Sequence, residues 1–275
     1  MNIFIFLLPP LVACLVLTGI HAYLGLHVIG RGVIFVDIAL AQIAAMGMTV
    51  AFVLGFELDS QTAYFFGLGF TLIGALFFAF FRDDVIPQEA FIGVSFAVSS
   101  AISLLLADKA PHGAEHLKFI LNGNILWVSW HQIIKTALIY SVLGFIHYRV
   151  RKKMFLVSCN PVEAQKRGLK IKLWDLFFYV SFGLVITSSV QMAGILLVFS
   201  FLIVPALCSM LFFREMKPRL LLGWGLGILG SIGGIAGSYA FDLPTGSTIV
   251  AFFGLILLLS LTCSRVFHFK CFKSR

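Results

Sequence analysis

Residues 149–172, RVRKKMFLVSCNPVEAQKRGLKIK, decide how the rest of the chain is read. They carry eight of its twenty Lys and Arg residues (Arg149, Arg151, Lys152, Lys153, Lys166, Arg167, Lys170 and Lys172), and apolar stretches of spanning length flank them on both sides. Cations gathered between two such stretches mark a loop on the cytoplasmic side of a membrane. Inside the cluster a short helix is signalled at both ends. Asn160 suits the N-cap, Pro161 the first helical position and Glu163 the N3 place of a capping box. Gly168 can take the left-handed position that closes the helix, with Lys166 and Arg167 favourable against the last carbonyls. The helix expected over 161–167 is too short to persist alone in water, so a surface must hold it. Anionic lipid headgroups are one such surface and a cytoplasmic partner protein is the other. The stretch by itself favours neither.

The composition leaves little choice of class. The chain has 275 residues, a mean hydropathy of +1.02, 60% hydrophobic and only 12% charged residues. Twelve per cent is too little charge to cover a soluble globule with so apolar a content, so the expectation is an all-α polytopic membrane protein. A net charge of +8 and a pI near 9.4 would fit nucleic-acid binding. The cations sit in short loops between apolar segments, however, which is a topology signal and argues for no nucleic-acid partner. The five cysteines, Cys14, Cys159, Cys208, Cys263 and Cys271, form no C-x-x-C pair, so neither a disulfide nor a zinc framework is expected. The N-terminal MNIFIFLLPPLVACLVLTG lacks a basic leader and a clear cleavage site, and is expected to remain as the first span.

Apolar segments of spanning length run at about 3–25, 33–54, 62–81, 88–107, 130–148, 174–190, 192–213, 219–240 and 247–264. They predict nine transmembrane helices, in a single domain over 1–275 with a cytoplasmic loop at 149–173. The stretch DKAPHGAEHLKFILNGNILWVS (108–129) is expected to fold back as a partial helix. Arg31, Arg82, the 149–172 cluster, Arg214, Lys217, Arg219, Arg265, Lys270, Lys273 and Arg275 share one side if the N-terminus lies outside, while Glu57, Asp59, Asp108, Glu115 and Asp242 share the other with only Lys109 and Lys118. This asymmetry places the C-terminus and the 149–173 loop in the cytoplasm. The glycines between 223 and 237 form small-x-x-x-small pairs such as Gly223/Gly227 and Gly230/Gly234, read first as a packing face.

Chemistry-bearing residues are sparse. No G-x-x-x-x-G-K-[ST] occurs, so ATP cannot be bound through a P-loop and no catalytic residue is assigned. Energy for any work must come from another subunit or an ion gradient. Within the spans, Asp37, Glu89, Lys135 and His131 lie near helix starts, and His21 and His147 are read as helix-end residues that snorkel. One ligand-rich cluster is predicted outside: His112, Glu115 and His116 share a helical face and suit zinc, manganese or ferrous iron. Their H-x-x-E-H spacing is also that of one class of zinc peptidase. That alternative lacks a further carboxylate beyond Glu57 on the same side.

Three stretches together resemble the membrane permeases of zinc/manganese-type ABC importers. GILLVFSFLIVPALCSMLF (194–212) is similar to the family's G-x-L-L-[VI]-x-[SA]-x-L-I-x-P-A-A motif, DLPTGSTIV (242–250) to its D-x-P-x-G-x-x-I-V, and GRGVIFVDIALAQIAAMG (30–47) to its R-x-x-x-F-x-D-x-L-x-H-x-x-L-x-G. The resemblance spans nearly the whole chain. It implies a cobalamin-importer-like fold in a bacterial inner membrane, a homodimer, a separate ATPase subunit and an extracytoplasmic metal-binding protein. It further implies a divalent transition metal as transported substrate, with no covalently bound cofactor. It makes the short helix, with Asn160, Pro161, Val162, Glu163, Ala164 and Gly168, the element that couples to the ATPase. It puts Gly194, Ser200 and Pro205 on a pore-lining helix. The chain departs from the family at the pathway ligands: Gln42 stands in the place of the histidine, and Ile38 in that of the aspartate, with Asp37 one position early. Asp37 and Gln42 are about 140° apart around a helix. The outer His112–Glu115–His116 cluster is therefore the expected replacement site. A non-transporting, regulatory protein on the same scaffold is the other reading.

Overall fold

The computed structural model describes residues 3–57, 60–81, 86–109, 115, 123 and 125–273, and the regular structure among them is helical. The helices are α1 (Ile3–Arg31), α2 (Val36–Val53), α3 (Gln61–Phe80), α4 (Gln88–Asp108), α5 (Trp130–Cys159), α6 (Pro161–Lys166), α7 (Ile171–Ala193), α8 (Ile195–Phe212), α9 (Met216–Phe241) and α10 (Thr245–Lys273). A single turn of 3₁₀-helix, Ile125–Trp127, precedes α5. All but α6 are long and apolar enough to cross a membrane, nine spans among the described residues as the segments predict.

Two helix ends differ from expectation. The chain does not pass into a loop at 149, because α5 continues to Cys159. Its extension is amphipathic: Met154, Val157 and Ser158 turn inward while Arg149, Arg151, Lys152 and Lys153 lie on the outer side, so charge density alone hides a helix. In the same way α1 runs on to Arg31. Residues 112 and 116 of the expected outer cluster lie outside the described residues.

The bundle has two lobes. In one, α2 packs on α3 and α4, and α3 on α7; in the other, α1 packs on α8 and α9, and α10 covers α8 and α9. Helix α5 bridges them by touching both α1 and α7. Helices α2 and α7 are buried along most of their length, α4 and α10 along little of it. Without a hydrophobic drive between helices in lipid, contact depends on close approach of backbones. Gly25 supplies one such point: a Cβ there would stand 2.0 Å from the Leu202 carbonyl oxygen. On α9, Gly227 meets Thr18 of α1 while Gly230 and Gly234 meet Phe253 and Ile249 of α10. The glycine-rich face is a packing face.

Candidate functional site

Helix α6 is closed at both ends by its own sequence. The Asn160 side chain accepts from the Glu163 amide at 3.1 Å. At the other end the Leu169 amide bonds the Ala164 carbonyl at 3.0 Å and the Gly168 amide that of Gln165 at 2.9 Å. With Gly168 at φ +78°, this is a Schellman closure. The return limb of the expected capping box is not made. The Asn160 amide instead ends α5 on the Leu156 carbonyl at 2.8 Å, and the Glu163 carboxylate takes Arg167 Nε at 2.8 Å. Val162 stands out from the surface at 64% exposure, whereas Ala164 is fully buried. Of these two small residues of the expected docking element, Val162 is presented and Ala164 holds the helix down.

Behind α6, a polar cluster ties α1, α5 and α7 together. Arg31 of α1 pairs with Asp175 of α7, donates from Nε to Ser158 Oγ of α5 at 3.1 Å, and lies 4.3 Å over the Phe178 ring. Ser158 Oγ is 2.9 Å from His27 Nδ1. Arg31 also donates to that hydroxyl, which keeps one lone pair and one proton, so the Ser158–His27 bond fits either imidazole tautomer. At His147 the direction is fixed. Ser181 gives its proton to the Phe178 carbonyl at 3.0 Å, so His147 Nε2–H donates to Ser181 Oγ at 2.9 Å. Further along the same helices, Tyr140 of α5 bonds Ser189 of α7, and Ser189 Oγ is 3.1 Å from His21 Nε2. His21 and His147 are therefore buried interhelical links, not snorkelling helix ends, because α1 and α5 extend well past them. His27 and Asp175, which no local sequence signal marks, complete this set.

The expected pathway ligands are partly in view. Asp37 is buried in the first turn of α2, with neither carboxylate oxygen hydrogen-bonded. Gln42 is also buried, and its Oε1 lacks a partner. An unpaired carboxylate in an apolar bundle is costly, and a cation relieves that cost. Glu115 is exposed; His112 and His116 lie outside the described residues. Among the described residues no three His, Cys, Asp or Glu side chains gather as a metal cage. At the other end of α5 from α6, a polar cavity of about 200 Å³ is lined by Tyr64, His131, Gln132, Lys135, Ser188 and Gln191, among others. There Tyr64 bonds Ser188 at 3.0 Å and Lys135 Nζ sits 4.2 Å over the Tyr64 ring.

Gly194 is the single residue between α7 and α8, and its φ of 78° with ψ of 163° makes the turn that an L side chain resists. Gly123, also at positive φ, packs against it: a Cβ there would meet the Gly194 amide nitrogen at 2.3 Å. Ser200 and Pro205 are buried within α8, Ser200 returning its proton to the Leu196 carbonyl at 2.9 Å. The outward side of α8 begins with Leu196, half exposed.

The family model described as "ABC 3 transport family" matches residues 4–264. The manganese import system permease protein ScaB of Streptococcus gordonii is 27% identical over 263 residues, covering 94% of this chain and 91% of its own. A "Probable iron transport system membrane protein" of Haemophilus influenzae is 27% identical over 263 residues, covering 96% and 95%. The solved structure of PsaBC from Streptococcus pneumoniae in complex with Fab superposes with a TM-score of 0.78 at 23% identity, covering 93% of this chain and 90% of that one.

Proposed function

The chain belongs to the ABC 3 transport family, and on that premise we propose that it is the membrane-spanning permease of an importer for a divalent transition metal, manganese or iron before zinc. The family match from residue 4 to 264 carries the reading, and the names of the relatives, manganese import and iron transport, motivate the choice of ion. ATP is hydrolysed on a separate subunit, which seats against α6 through Val162, with Asn160, Pro161, Glu163 and Gly168 holding the shape of the helix. Two copies of the chain form the transmembrane unit in the inner membrane, N-terminus outside, and an extracytoplasmic binding protein delivers the metal.

The cation's route has two stations in this reading. The outer one is His112, Glu115 and His116, the inner one Asp37, with Gln42 more than a turn further along α2. The bare carboxylate of Asp37 supports the second, and weak, exchangeable ligation is what permeation demands. Helix α8, shaped by Gly194, Ser200 and Pro205, flanks the route with the side that bears Leu196. The deciding experiment is co-expression with the ATPase subunit and reconstitution of the complex in vesicles. ATP-dependent accumulation of Mn²⁺ or Fe²⁺ is expected. A complex that hydrolyses ATP but accumulates neither, nor Zn²⁺, overturns the proposal. Uptake that survives His112→Ala with His116→Ala, but not Asp37→Ala, assigns the inner station alone.

A further inference from the structure

The second lobe carries an open groove between α1, α5 and α9, with a volume of about 720 Å³. Trp224 of α9, one of its lining residues, donates from Nε1 to the Gly19 carbonyl of α1 at 2.9 Å. Two lining glycines, Gly19 and Gly144, keep it open, since a Cβ on either would meet nothing within 4 Å. From Leu15 to His27 the groove follows α1 for about 18 Å at ~1.5 Å per residue. That is close to the ~15 Å of hydrocarbon in one leaflet.

The two ends differ in chemistry. Toward one lie Leu15, Ala137 and Trp224; toward the other, the end nearest α6, lie Arg151, Lys152 and Lys217. Among the described residues no carboxylate lines the groove. Arg151 rests on another lining residue of its own helix, its guanidinium 4.0 Å over the Tyr148 ring and Nη1 donating to the Tyr148 carbonyl at 2.7 Å. Tyr23 and His27 form part of the same wall, and the Tyr23 hydroxyl and His27 Nε2 have no partner. An apolar trough of leaflet depth that ends in three cations is complementary to a molecule with an aliphatic chain and an anionic head.

We propose that the groove between α1, α5 and α9 seats an anionic phospholipid, its chain along Gly19 and Gly144 and its phosphate on Arg151, Lys152 and Lys217. The bound lipid bridges the extension of α5 to α9 across the groove, and so stiffens the segment leading into α6.

The test uses the full chain purified in mild detergent, stripped of lipid, and offered phosphatidylglycerol or phosphatidylcholine, with retained lipid counted by native mass spectrometry. The wild type is expected to hold phosphatidylglycerol at least about ten-fold over phosphatidylcholine, and Arg151→Gln with Lys152→Gln and Lys217→Gln to lose that preference. Gly144→Leu fills the trough and is expected to exclude both lipids while keeping the wild-type unfolding temperature. If the triple variant does not accumulate, Lys217→Gln and Gly144→Leu decide the same question. Equal retention of the two lipids by the wild type overturns the proposal, as does unchanged retention in Gly144→Leu. Conversion of a dimer to monomers by Gly144→Leu would mean that a second copy occupies this face, and would also overturn it.

Discussion

Arg31 at the end of α1 and Asp175 in the second turn of α7 form an ion pair from which solvent is excluded, their side chains 7% and 3% exposed. The partners are 144 residues apart in the chain. Desolvating two such charges is repaid only while both are present. Asp175→Ala is therefore expected to lower the stability of the purified chain by about 3–5 kcal/mol. Removing both charges, Arg31→Met with Asp175→Leu, should recover most of that loss. A double variant as unstable as the single one would show that the pair itself, and not the orphaned charge, sets the stability.

Helix α6 separates docking from folding within three residues. Val162→Asp is expected to leave the unfolding temperature unchanged and to uncouple ATP hydrolysis from metal uptake in the reconstituted complex. Ala164→Asp buries a charge and is expected to reduce the amount of folded protein in the membrane. Normal coupling in Val162→Asp would remove α6 from the contact with the ATPase.

The Tyr140–Ser189–His21 chain joins α5, α7 and α1 by hydroxyl and imidazole contacts. Interhelical hydrogen bonds in membrane bundles contribute about 0.6 kcal/mol on average and ~1.7 at most, so Tyr140→Phe should destabilise within that range. Equilibrium unfolding in detergent measures it. A larger loss would indicate that the whole network collapses when one hydroxyl is removed.

Thiol labelling distinguishes the two sides of α8. With the exposed Cys159 and Cys263 replaced, Leu196→Cys should react with a polar maleimide at least about ten-fold faster than Ser200→Cys, because access governs thiol reactivity. Equal rates would mean that α8 does not keep Ser200 inside the protein.

The spans are legible in the sequence because lipid imposes length and apolarity on every crossing, and a helix such as α8 can satisfy its backbone in no other way. The ends of α6 are legible for a related reason: Asn160, Pro161 and Gly168 act on neighbours within four residues. His21 and His147 mislead because the apolar runs stop at about 25 and 148, whereas the helices continue to Arg31 and Cys159. A mid-helix residue thus reads as a helix end. Asp175 is invisible for a different reason. It stands three residues from Lys172 in sequence, and nothing local marks Arg31 as its partner. The proposed ligands of the metal route are legible as a departure from a motif and, for Asp37, as a charge within an apolar span, whereas the lack of a hydrogen-bond partner for its carboxylate shows only in three dimensions.

Helix α5 runs thirty residues from Trp130 to Cys159 without interruption, about 45 Å at ~1.5 Å per residue, and Asn160 alone separates it from α6. Moved as a rigid lever, such a helix would shift each tip by ~2 Å for a tilt of about 5° around its midpoint, given that length. A displacement of Cys159 would then be matched at the end that bears His131 and Lys135, while Asn160, outside helical geometry at φ −146°, is the joint between this lever and Val162.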